Sequence, residues 1–231
     1  MEIAPRFESL TDKQVEVLDK LANYKIPVIN WDFDQTLVDS EIPVKQRYYE
    51  LTGLDFRDRK IDRYAALSHW TEIEGSMPFD QASLIEFPIW RNSDVLSKAT
   101  PITQMQEFSK KCNETNIIQT ITTAREPELR QITLDTIEHH FPWFTEKNLN
   151  IRFGVRTPSE PFKGVMSDAI DATVCFEDSI TSTRQILKFS NAYVILFPKL
   201  LERGMFQGNE RVIEFSNFES WGKTMYLFSD I

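Results

Sequence analysis

Two carboxylates one residue apart, Asp32 and Asp34, stand at the end of Pro27-Val28-Ile29-Asn30-Trp31-Asp32-Phe33-Asp34-Gln35-Thr36-Leu37-Val38-Asp39. The run before them is short and mostly apolar and is bounded by Pro and a polar turn, the pattern of a buried strand in a parallel sheet. The C-terminal end of such a strand is where open α/β sheets place their chemistry. Carboxylates crowded there repel each other, so a counter-charge is expected, most simply a cation. Thr123 stands in a comparable position, after the apolar run 116–122 and before a helix start at Glu126-Pro127. Its hydroxyl and the backbone N–H groups of Ala124 and Arg125 could together hold a phosphate oxygen. Thr122 is the alternative register. A third acidic strand end is Glu177-Asp178, after Val174-Cys175-Phe176.

The elements that must position these groups follow from periodicity. Residues 9–24 carry apolar positions at helical spacing, with Thr11 or Ser9 as cap. Strands are expected at 26–31, 116–122, 149–155, 172–176 and 192–197. Core helices are expected at 102–112, 128–140 and 180–189. This alternation gives an α/β fold, a doubly wound parallel sheet with a Rossmann-like core. The stretch 39–100 is too long for an ordinary βα connection. Its helical segments, 44–51, 61–74 and 81–90 or 95, read as a small helical insertion after the first strand. The expected division is therefore a core of residues 1–38 and 101–231 and an inserted helical domain of 39–100. The tail from Lys199 has no clear assignment beyond a short strand expected around Met225 to Phe228.

Asp32-Phe33-Asp34-Gln35-Thr36-Leu37-Val38 resembles the first motif, D-x-D-x-T-[LV], of the haloacid dehalogenase-like hydrolase superfamily. Ile121-Thr122-Thr123-Ala124-Arg125 resembles its second motif, Lys163 falls in the interval of its third, and Glu177-Asp178 resembles its fourth. Lys163 has no close rival in that interval, since Lys147 precedes the third strand and Lys188 follows the fourth. The resemblance implies an aspartate-nucleophile phosphatase in which Asp32 forms an aspartyl-phosphate and Asp34 handles protons. Thr123 and Lys163 would orient the phosphoryl group. Mg²⁺ would be held by Asp32, Asp34 and Asp178, directly or through water, with Glu177 as second candidate. The insertion would be the cap that closes over the site and selects the substrate. Gln35, where many relatives carry Gly, and the polar Asn30 inside the strand depart from the pattern.

Composition limits the partners. The 231 residues are 41% hydrophobic and 26% charged, as in a soluble globular protein. The net charge of −9 disfavours nucleic acid and anionic membranes. Cys112 and Cys175 are far apart and in no metal-like spacing, which fits a reduced, cytoplasmic protein. The opening residues hold no signal-type apolar segment, and no stretch is long enough to span a membrane. The expected substrate is a small phosphorylated metabolite, a nucleotide or sugar phosphate. Arg47, Tyr48, Tyr49, Arg57, Arg63, Tyr64, His69, Trp70 and Trp90 are the inserted residues that could stack a base or bind an anion, although core packing explains each aromatic singly. The alternatives are a phosphomutase on the same motifs, a nucleic-acid end phosphatase and a non-catalytic binding member.

Overall fold

The computed structural model describes residues 10–151 and 161–229. Strands β1 (Val28–Trp31), β4 (Ile118–Thr123), β5 (Leu149–Ile151), β6 (Val174–Glu177), β7 (Tyr193–Leu196) and β8 (Val212–Glu214) form one sheet in the order β5-β4-β1-β6-β7-β8. Every pairing in it is parallel. The strand order reverses beside β1, so its C-terminal end opens at the switch point of the sheet. Strands β2 (Val38–Asp39) and β3 (Thr100–Pro101) pair antiparallel as a separate two-stranded ribbon. The part of the third expected strand beyond Ile151 lies outside the described residues.

Strand alternation sorts the core onto two faces. Trp31, Phe176, Ile195 and Ile213 occupy one row across four strands. They pack with residues of α1 (Asp12–Ala22), α6 (Thr103–Glu114) and α10 (Phe218–Ser229) in the largest apolar cluster. Trp31 and Phe176 stack at 4.3 Å, and Trp221 of α10 meets Phe176 edge-on at 5.2 Å. The opposite row, Cys175, Val194 and Val212, packs with Ile180 and Ile186 of α9 (Ile180–Phe189). Helices thus cover both faces, as the periodicity requires.

The tail corrects one expectation. Met225 to Phe228 lies in helix α10, not in a strand. Trp221, Met225 and Phe228 recur at helical spacing and are buried together, and the Asn217 side chain accepts from the Ser220 N–H at the helix start. The additional strand is β8, fixed at the sheet edge by Val194 N–H to Arg211 C=O and Phe215 N–H to Leu196 C=O.

Between β2 and β3 the chain forms α2 (Glu41–Thr52), α3 (Ala66–Ile73), α4 (Phe79–Ile89) and α5 (Ser93–Leu96). The expected helix at 61–74 begins only at Ala66, because Ala65 takes a left-handed conformation. Val44, Tyr48, Phe56, Leu67, Trp70 and Ile89 build a second apolar cluster, closed from the core side by Leu129, the residue before α7 (Arg130–His140). Tyr48 and Trp70 are therefore packing residues. Arg57 lies over Tyr49 and pairs with Asp55, and Arg63 pairs with Asp62.

Helix α8 (Phe162–Ala169) crosses α9 at very close range. A Cβ on Gly164 would lie 2.3 Å from the Gln185 backbone oxygen. Gly164→Ala is accordingly expected to lower stability by about 1–3 kcal/mol through forced separation of the two helices. Urea denaturation measures it; an unchanged midpoint would mean that the contact gives way freely.

Candidate active site

Asp32 continues β1 by one residue, its N–H donating to the Phe176 C=O at 2.9 Å. The chain then turns sharply: Leu37 and Val38 N–H both return to the Phe33 C=O at 3.0 Å. Gln35 sits at the apex with φ of 60°. A left-handed conformation disfavours a side chain, which is the reason a Gly would be expected there. Here the side chain has a compensating use. With its amide oxygen facing α2, Gln35 accepts from the Ser40 and Glu41 N–H groups at 3.0 Å each, capping that helix.

The Asp32 carboxylate is buried, 8% exposed, and its Oδ1 accepts from the Phe33 N–H at 2.7 Å. Lys163, at the start of α8, lies 2.6 Å from the same oxygen and donates to Glu177 Oε1 at 2.8 Å. Carboxylate oxygens of Asp32, Glu177 and Asp178 all lie within 4.8 Å of one another. Burial pushes the Asp32 carboxyl up; Lys163 opposes this, while Asp178 and Asp34 add to it. Burial likewise raises Glu177 well above the usual carboxylate range, with Asp32 adding repulsion. Lys163 is shifted the other way: burial disfavours its charge, but the Asp32 and Glu177 carboxylates outweigh it and raise it.

Glu177 Oε2 is buried and has no hydrogen-bond partner among the described residues. A buried carboxylate oxygen without a donor costs on the order of 1–3 kcal/mol or more. Its presence beside two further carboxylates fits a hard divalent cation with oxygen ligands. The residues present suit Mg²⁺ in kind, since all are oxygen donors.

Asp34 has a different setting. Arg125 Nε and Nη2 donate to its two oxygens at 2.8 and 2.7 Å, a forked pair, and the Ser40 hydroxyl donates to Oδ1. Burial pushes the Asp34 carboxyl up, but the Arg125 charge and these bonds prevail and hold it below the usual range. The Arg125 guanidinium rests on the Phe33 ring at 4.6 Å and donates to Thr133 Oγ1 at 3.0 Å.

The two threonines have different partners. Thr122 Oγ1 donates to Asn30 Oδ1 at 2.8 Å, on the α8 face of the sheet. Thr123 Oγ1 accepts from the Arg125 N–H at 3.2 Å, in the turn that brings Arg125 to Asp34. Asn30, unexplained by its strand position, also accepts from Thr120 Oγ1 at 3.1 Å and donates to Ser167 Oγ at 3.1 Å. Ser167 in turn donates to the Lys163 C=O at 2.7 Å. The buried polar residue of β1 therefore ties β4 to Ser167 of α8.

Three groups are not legible in the sequence. Arg125 offers only its backbone there, although its place two residues beyond Thr123 carries the side chain to Asp34. Lys199 stands in the unassigned tail. It lies three residues beyond β7 and donates to Asp178 Oδ2 at 2.8 Å, so Lys163 is not the sole ammonium in the acidic cluster. Glu41, at the start of α2, is pushed up to about 7, chiefly by burial.

No protein-family model and no curated protein sequence matches this chain. Solved structures do match. A candidate phosphoglycolate phosphatase from Lactobacillus delbrueckii subsp. bulgaricus aligns at a TM-score of 0.56 and 13% identity, over 87% of this chain and 98% of that one. A HAD family hydrolase from Deinococcus radiodurans R1, holding phosphate and sodium, aligns at 0.54 and 15%, over 88% and 96%. CbbY from Rhodobacter sphaeroides, in complex with phosphate, aligns at 0.52 and 15%, over 85% and 96%. This chain has the fold of the haloacid dehalogenase-like hydrolases.

Proposed function

We propose that this chain is a Mg²⁺-dependent phosphatase of small phosphomonoesters that works through an aspartyl-phosphate on Asp32. The observation that carries the reading is the cluster of Asp32, Lys163, Glu177 and Asp178 at the ends of β1 and β6, with one buried Glu177 oxygen lacking a donor. The phosphate held by two of the structural neighbours supports it.

Asp32 Oδ1 is oriented by the Phe33 N–H and by Lys163. Oδ2 is then the oxygen that attacks phosphorus in line, as the bond to the leaving oxygen breaks. Lys163 and Thr123 steady the phosphoryl oxygens as negative charge moves onto them. Asp34 carries the proton to the leaving oxygen and afterwards takes one from the hydrolytic water. The Arg125 fork favours the second task, because it keeps Asp34 ionised. The first requires Asp34 to take up a proton from solvent, which the Arg125 pair opposes until it loosens. Asp32, Asp178, Glu177 and the Asp34 backbone carbonyl would hold Mg²⁺, which supplies charge neutralisation for the meeting of two anions.

Residues 39–100 serve as the cap that chooses the leaving group. Their apolar cluster, and the β2–β3 ribbon that joins their two ends to the core, mark the unit off. A small nucleotide or sugar phosphate fits the acidic balance better than a nucleic-acid end.

The test is phosphate release from a panel of nucleotides and sugar phosphates, with Mg²⁺, with chelator, and with Mg²⁺ restored. Turnover is expected with Mg²⁺, absent with chelator and recovered on re-addition. Isomerisation without phosphate release would make the chain a mutase. Failure to turn over any phosphomonoester, with binding retained, would make it a binding protein.

A further inference from the structure

The acidic cluster is partly neutralised from within, by two ammonium groups rather than one. Lys163 serves Asp32 and Glu177, while Lys199 serves Asp178 at 2.8 Å. The Lys199 side chain is 20% exposed and that of Asp178 13%, so water screens the pair poorly. The backbone on either side is pinned. The Phe197 N–H donates to the Glu177 C=O at 2.8 Å, and the Leu201 N–H donates to the Asp62 C=O at 3.2 Å. Glu202 N–H closes a turn onto the Lys199 C=O at 2.9 Å. Lys199 is therefore built into the site and is not a surface side chain that strays toward it.

We propose that Lys199 is a resident cation of the metal site, which occupies Asp178 in the metal-free protein and keeps divalent-ion affinity weak. The inference rests on the metal reading above, for which the donorless Glu177 oxygen is the independent sign. A divalent ion entering among Asp32, Glu177 and Asp178 meets an ammonium already bonded to one of its ligands. The pinned backbone keeps the root of that side chain beside Asp178. Its repulsion of the ion, and its withdrawal of charge from Asp178, both oppose binding.

Three variants separate charge from orientation. Lys199→Gln keeps a hydrogen-bond donor for Asp178 without the charge, and Lys199→Met removes both. Lys199→Arg keeps the charge. Mn²⁺ binding to the full chain is followed by the loss of the free-ion electron paramagnetic resonance signal, at one pH and ionic strength, with circular dichroism as the check on folding. Lys199→Gln and Lys199→Met are expected to bind Mn²⁺ about tenfold tighter or more, and Lys199→Arg within about threefold of wild type. If Lys199→Met does not fold, Lys199→Gln decides the matter. Unchanged or weaker binding in a folded, uncharged variant overturns the proposal while leaving the metal site standing. Binding by Lys199→Gln where wild type binds none supports it. Failure of every form to bind Mn²⁺ overturns this proposal and the metal reading together. Phosphate release, assayed separately, reports on the phosphatase reading alone.

Discussion

Asp32→Asn is expected to abolish Mg²⁺-dependent phosphate release, by about 10⁴-fold or more, while leaving the fold intact. The amide is isosteric and keeps an oxygen that can accept the Phe33 N–H and the Lys163 ammonium, so the turn after β1 survives. What it lacks is the anionic oxygen that attacks phosphorus. Loss of the whole rate, against a partial loss, is the signature of a nucleophile. Melting temperature and phosphate release on a generic aryl phosphate check both halves. A variant that turns over within about tenfold of wild type would remove Asp32 from that role. The companion change, Asp34→Asn, leaves attack possible on a substrate with a good leaving group and is expected to trap phosphorylated protein, visible as an added phosphoryl mass.

Lys163→Met is expected to cost about 3–5 kcal/mol of stability at pH 8, along with most of the activity, about 10²-fold or more. The ammonium is the counter-charge of two buried carboxylates, and removing it leaves both uncompensated. The pH dependence has a definite sign. Asp32 and Glu177 already have raised values in the folded protein, and loss of Lys163 raises them further. An acid with a raised folded value contributes most to stability at low pH, and that contribution is lost as pH rises from the ordinary carboxylate range through the raised value. The deficit of the variant against wild type is therefore small near pH 5 and grows toward pH 8. Urea denaturation at the two pH values measures it. Adding Glu177→Gln, which removes one of the stranded charges, is expected to recover part of the stability and none of the activity. A deficit independent of pH would mean that Lys163 acts by packing alone.

Much of the sheet was legible because its strands carry local signals. The runs 26–31, 172–176 and 192–197 are short, apolar and bounded by turns, and each is a strand within a residue or two. Strand β8 was not legible. Only Val212, Ile213 and Glu214 form it, and an edge strand of that length owes its conformation to the neighbour it pairs with. Helix α10 was missed for a related reason. Its apolar residues at 221, 225 and 228 form a helical stripe only over two turns, whereas a four-residue window around Met225 reads as readily as a strand.

The candidate site divides in the same way. Asp32, Asp34, Thr123 and the Glu177-Asp178 pair are visible in the sequence because each stands at the end of a strand, and parallel strands deliver their ends to one edge. Which partner each group takes is a matter of distant chain segments meeting. Arg125 reaches Asp34 across 91 residues of sequence, and Lys199 reaches Asp178 across 21. Asn30 shows the limit most clearly. It reads as a polar defect in a buried strand, and only the crossing of β1, β4 and α8 makes it a junction. The two neighbouring carboxylates at Asp32 and Asp34 were thus determined by sequence alone. That one is held by an ammonium and the other by a guanidinium fork was decided by tertiary structure, because charges bury only where the fold brings them counter-charges.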